Sequence, residues 1–129
     1  MIALDTLALI YWLRGEKGLS KPALEAIEFE LDRGNILVSV ISAIEVARFV
    51  DDGHLSLSMD TRAWLSMIPS IDRVRMVPVD TEIAFRAALL PCDLTCTQRL
   101  IVATARAFGC ALVTPDAKVR ALTYGEAIW

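Results

Sequence analysis

Apolar and polar positions along this chain change period in blocks, and the changes mark out its elements. Ile2–Leu4 is a short apolar run closed by Asp5, the pattern of a buried strand. Leu7–Leu13 continues as a helix, with Gly15 and Gly18 marking a loop after it. Ser20 is an N-cap for the next helix and Gly34 a stop. Within that helix Leu24, Ile27 and Leu31 recur at three- and four-residue steps and give one apolar face. Ile36–Val40, apolar but for Ser39, predicts a second strand, followed by a helix from Ser42 to about Phe49 and a turn at Asp51–Gly53. Met59–Ile68 reads as a helix with Pro69 as its stop. Val74–Val79 is a strand whose Pro78 suits an edge or an end. Asp80–Leu89 and Thr97–Phe108 read as helices, the second closed by Gly109. Ala111–Thr114 is a strand, Asp116 precedes a last helix to about Leu122, and the final residues admit a short strand.

Strands alternating with helices imply an α/β fold with a parallel sheet covered on both faces. Sites in such sheets form beyond the carboxyl ends of the strands. The 129 residues are a single-domain length. A hydrophobic fraction of 55% suggests a buried parallel sheet, an oligomer interface or both. No apolar run approaches the roughly 20 residues that span a bilayer. The apolar opening is interrupted by Asp5 and has no basic segment before it, which argues for a strand and helix start over a signal peptide. A net charge of −3 argues against a generally basic nucleic-acid binder, though not against a nuclease that gathers acid at its site. Cys92, Cys96 and Cys110 with the one histidine, His54, make no zinc pattern; free thiols in a reducing cytoplasm are expected.

Three carboxylates sit at or just after strand ends: Asp5 after the first, Glu45 one turn into the helix after the second, and Asp116 after Ala111–Thr114. Were these strands neighbours, the three side chains could converge on one cleft. Like charges there repel, on the order of 4 kcal/mol for two at 4 Å and an effective dielectric of ~20. A divalent cation relieves that repulsion, and hard oxygen ligands favour Mg²⁺ or Mn²⁺. Each acid also has a structural reading. Asp5 and Asp116 can cap the helices that follow, and Ser42-Ala43-Ile44-Glu45 fits an S-x-x-E capping box.

The segments carrying these acids resemble, in order, the VapC-type toxins of the PIN-domain ribonucleases. The resemblance lies in Ile2-Ala3-Leu4-Asp5-Thr6 leading into Tyr11-Trp12-Leu13, and in Val38-Ser39 followed by Ser42-Ala43-Ile44-Glu45. It continues in Arg99–Ala105 with Gly109, and in Leu112-Val113-Thr114-Pro115-Asp116. It implies one PIN domain over residues 1–129, a three-layer fold with a central, mainly parallel sheet. It also implies that Asp5, Glu45 and Asp116 are catalytic, metal-binding residues supported by Thr114 and Thr6. The implied reaction is Mg²⁺- or Mn²⁺-dependent hydrolysis of RNA phosphodiesters, tRNA among the substrates. The implied partners are a VapB-type antitoxin and a second copy in a homodimer.

The chain departs from this pattern at one place. Gln98 stands where the resemblance leads one to expect an acid, and Thr95 where another Asp is usual. Thr95-x-x-Gln98 still makes a capping box, so the helix start survives while a charge is lost. Asp93 compensates only if its loop folds inward. The departure keeps a second reading open: a PIN-like domain with a weakened or inactive site, acting as a binding partner in an antitoxin or RNA complex. A phosphoacceptor domain of the receiver type is a more distant alternative, because Asp5 has no neighbouring acid.

Arg14, Lys17, Arg48, Arg99 and Lys118 fall near the predicted cleft loops, either meeting RNA phosphates or lying as plain solvated charges. Trp12, Trp64 and Trp129 are read as packing residues before stacking ones, and His54 as an exposed turn residue. The stretch Leu55–Ile68 fits either a dimer or antitoxin surface or the core.

Overall fold

A computed structural model describes residues 1–15, 17–122 and 126–129. Its elements are β1 (Ile2–Leu4), α1 (Thr6–Arg14), α2 (Lys21–Arg33), β2 (Ile36–Ser39), α3 (Ile41–Asp51) and α4 (Thr61–Met67). A 3-10 turn at Ile68–Ser70 precedes β3 (Val74–Val77), α5 (Thr81–Ala88), α6 (Cys96–Ala107), β4 (Ala111–Val113), α7 (Ala117–Leu122) and β5 (Ala127–Ile128). The strands form one parallel sheet in the order β3-β2-β1-β4-β5. β1 is central: Ile2 pairs with Ile36 on one side and with Ala111 on the other. β3 is an edge strand and ends just before Pro78, where a missing N–H breaks no ladder.

The strands are apolar on both faces because each face meets helices. Ile2, Leu4, Ile36, Val38 and Val113 point into a core shared with Leu9 of α1, Ile27 of α2 and Trp64 of α4. Ala3, Leu37 and Leu112 point the other way, toward Ile83 of α5, Ile101 and Val102 of α6 and Val119 of α7. The result is the helix–sheet–helix layering expected of the sequence. Leu55, Trp64 and Ile68 are buried, so the Leu55–Ile68 stretch contributes to the core, with Met59 and Met67 exposed on its outside. Trp12 and Trp129 pack against the same core. Among the described residues, no helix is long and apolar enough to cross a membrane.

Helix starts follow their capping residues. Asp5, Ser20, Asp60, Asp80 and Thr95 each accept a hydrogen bond from the backbone N–H three positions on. Gly15 closes α1 in the left-handed region at φ 66°, a conformation that favours glycine. Gly34 is required by a close approach instead. A Cβ there would collide with Glu30 Oε2, and the buried Glu30 carboxylate accepts from the Met1 amine (2.7 Å) and the Asn35 N–H (3.1 Å). One start differs from expectation. α3 begins at Ile41, and its cap residue Val40 is helical and has no side-chain group to cap it. The Ile41 N–H is satisfied by Ser39 Oγ at 3.2 Å, so Ser42 lies inside the helix and forms no capping box with Glu45.

Candidate active site

The chain proceeds outward from β1 through β2 to β3, then returns to the far side of β1 for β4. The order thus switches at β1, and a crevice opens beyond the carboxyl ends there. A cavity of about 140 Å³ lies in it, walled by Asp5, Thr6, Glu45, Gln98, Thr114 and Asp116 above an apolar floor that includes Ile101 and Val102. The structure therefore brings together all six residues singled out from the sequence. Asp93 is exposed and is not part of this wall, so it does not replace the missing acid.

Asp5 follows β1, where its own N–H donates to Val113 O of β4 at 3.0 Å. Its Oδ1 accepts from Ala8 N–H at 2.8 Å, so the expected capping role holds alongside its place in the cleft. Burial pushes the Asp5 carboxyl up to about 6. Hydrogen bonds from Thr114 and Ala8 oppose that rise, while the charges of Glu45 and Asp116 add to it.

Glu45 is held from two helices. Thr6 Oγ1 of α1 lies 2.5 Å from Glu45 Oε1 and 3.0 Å from Ser42 Oγ, and Thr97 Oγ1 of α6 donates to Glu45 Oε2 at 3.0 Å. Thr97 was not singled out from the sequence. A hydroxyl that reaches a carboxylate 52 positions away leaves no local signal. Asp116 caps α7 through Oδ1, which accepts from Val119 N–H at 3.0 Å, and its own N–H donates to Thr114 Oγ1 at 3.1 Å. Thr114 thereby serves two of the three acids. Gln98 Nε2 donates to Asp116 Oδ2 at 3.0 Å.

Among the described residues, no three Asp, Glu, His or Cys side chains stand close enough to make a ready-made metal cage. Mg²⁺ does not need one, since it keeps several waters and takes one or two carboxylates. The all-oxygen donor set of Asp5, Glu45 and Asp116 fits such a partly hydrated ion. Each of the three acids also accepts a hydrogen bond from a protein donor. Among the described residues, no Lys, Arg or His side chain lines the cleft itself. An adjoining cavity of about 250 Å³ shares Leu7 and Phe49 with it and is lined by Arg14 and the exposed His54. Lys17, Arg48 and Lys118 are exposed, whereas Arg99 buries its Nε without a hydrogen-bond partner.

The profile of the PIN domain matches residues 2–123. The chain belongs to the PIN-domain family. This PIN domain is 30% identical over 121 residues to the Ribonuclease VapC22 of Mycobacterium tuberculosis, covering 92% of this chain and 89% of that one. Among solved structures, it resembles a chain of a toxin-antitoxin complex from Klebsiella pneumoniae, at a TM-score of 0.69 and 19% identity over 100% and 97% of the two chains. It also resembles a chain of VapBC2 from Rickettsia felis, bound to a DNA fragment from their promoter, at 0.68 and 18% over 95% and 94%. FitAcB from Neisseria gonorrhoeae matches at 0.62 and 19%, over 92% and 90%. At these identities the structural likeness is one of fold.

Proposed function

We propose that this PIN domain, spanning residues 1–129, is a cytoplasmic endoribonuclease toxin of the VapC type, restrained by an antitoxin protein. The observation that carries this reading is the convergence of Asp5, Glu45 and Asp116 on one cleft at the switch point of the sheet. Kinship with a ribonuclease and the likeness to chains of toxin–antitoxin complexes support it.

Asp5, Glu45 and Asp116 would hold a Mg²⁺ or Mn²⁺ ion. When bound, such an ion supplies an activated water and charge stabilisation at a phosphodiester. The residues of the chain do the rest. Thr6 and Thr97 fix both oxygens of Glu45. Ala8 N–H holds Asp5 Oδ1, and Thr114 Oγ1 holds the backbone of Asp116. Arg14, in the adjoining cavity, is suited to a phosphate further along an RNA strand. Structured RNA such as tRNA is the substrate class, and exposed apolar residues such as Ile44, Phe85 and Leu89 suit a homodimer or the antitoxin.

RNA cleavage by the purified protein in Mn²⁺ tests this, beside Asp5→Ala. Cleavage that Asp5→Ala lowers by at least about a hundredfold, as loss of an electrostatic catalytic group does, supports the nuclease reading. One observation favours a second reading: the acid cluster is already partnered by an amide from Gln98. If no RNA is cut by folded parent or by Gln98→Asp, the domain is a binding module in an antitoxin or RNA complex.

A further inference from the structure

The two ends of the Gln98 amide are committed differently. Its oxygen accepts from Thr95 N–H at 2.9 Å, while Thr95 Oγ1 accepts from Gln98 N–H at 3.1 Å, closing the capping box of α6. That anchors the oxygen at the helix start and turns the NH₂ group into the cleft, where it donates to Asp116 Oδ2 at 3.0 Å. A flipped amide would set its NH₂ against the Thr95 N–H and its oxygen against a carboxylate, losing both bonds. Gln98 therefore presents a donor to the cleft, and a cation needs an acceptor.

We propose that Gln98 is a built-in restraint on the cleft: its amide occupies the Asp116 oxygen that a divalent cation needs, so ion and amide compete for one atom. The inference rests on the reading of the cleft as a cation site. Asp116 does not depend on Gln98 for its position, because Oδ1 is anchored by Val119 N–H and its backbone by Thr114. What Gln98 controls is the occupancy of Oδ2. The amide donor offsets part of the negative charge of the cluster and keeps the cleft assembled without an ion, at the expense of affinity for one. Since the same amide accepts from the Thr95 N–H, an ion that takes Oδ2 from it also loosens one of the two capping-box bonds of α6, while the bond from Gln98 N–H to Thr95 Oγ1 remains.

Mn²⁺ titrated into the full chain, by calorimetry and by the electron-paramagnetic signal of the free ion, tests this without RNA. Gln98→Met removes the donor at similar length, and Mn²⁺ should bind about three- to tenfold more tightly, the yield of freeing one charged hydrogen-bond acceptor. Gln98→Glu keeps an acceptor for Thr95 N–H but sets a carboxylate against Asp116. It should bind Mn²⁺ at least about tenfold more tightly. It should also melt below the parent in chelator and recover with Mn²⁺. If Gln98→Met binds Mn²⁺ no better than the parent, or more weakly, Gln98 is an ordinary cap or a ligand and the proposal falls. Should Gln98→Met fail to fold, equal Mn²⁺ affinity in Gln98→Glu and parent overturns it in the same way. Absence of RNA cleavage in every variant would count against the nuclease reading and leave this result standing.

Discussion

Asp5 shows how one residue serves the fold and the cleft at the same time. As a cap it stabilises α1, and as a buried carboxyl beside two other acids it opposes folding whenever it is ionised. Its value of about 6 in the folded chain stands above the ordinary 3.8. The folded state thus binds the proton more tightly, and stability from this group is present below pH 4 and lost as pH rises toward 6. At neutral pH the loss is on the order of 3 kcal/mol. Asn caps a helix about as well as Asp, so Asp5→Asn removes the charge and keeps the cap. Chemical denaturation in chelator should find this variant more stable by about 1–3 kcal/mol at pH 7 and close to the parent at pH 4. A gap that stays constant with pH would disprove the linkage.

Among the elements, α6 carries the most consequence for the cleft, because its first turn delivers both Thr97 and Gln98. Replacing Thr97 with Val deletes the bond to Glu45 Oε2 while Thr95 still caps the helix. One such hydrogen bond is worth about 1 kcal/mol, so the melting temperature should fall by only a few degrees while RNA cleavage falls roughly fivefold. Unaltered cleavage would mean that Thr6 alone sets Glu45.

The elements were largely legible in the sequence because periodicity and caps are local. Pro78 suited an edge strand, which ends at Val77 and not at Val79, and Ser20, Asp80 and Gly109 marked helix limits. The S-x-x-E motif misled for a physical reason. Where a strand runs straight into a helix, the last strand hydroxyl, Ser39, serves the first N–H, and Ser42 falls two residues past the cap position. The acids could be named because strand ends converge in a parallel sheet. What ties them down could not, since Thr97 and the amide of Gln98 reach across 52 and 18 positions.

For the molecule as a whole, the central position of β1 decides how the parts depend on one another. β1 is three residues long, and its partners are β2, next in sequence, and β4, near the far end of the described chain. A chain ending at Cys110 keeps Asp5 and Glu45 but lacks β4, α7 and β5. It also loses the buried Leu112 and Val113 from the two faces of the sheet. Deleting two such side chains alone removes about 2–5 kcal/mol each, comparable to the whole stability of a small domain. Circular dichroism should find no cooperative melting in that fragment, and a sharp transition would refute the dependence.

The same topology bears on the order in which the protein is made. A ribosome that has joined the first hundred residues has released two of the three acids, yet the β1 edge that faces Asp116 is still bare. On the nuclease reading, a nascent or prematurely terminated chain is harmless to the RNA around it, and the hazard begins only when residue 116 has been added and the last crossover has closed.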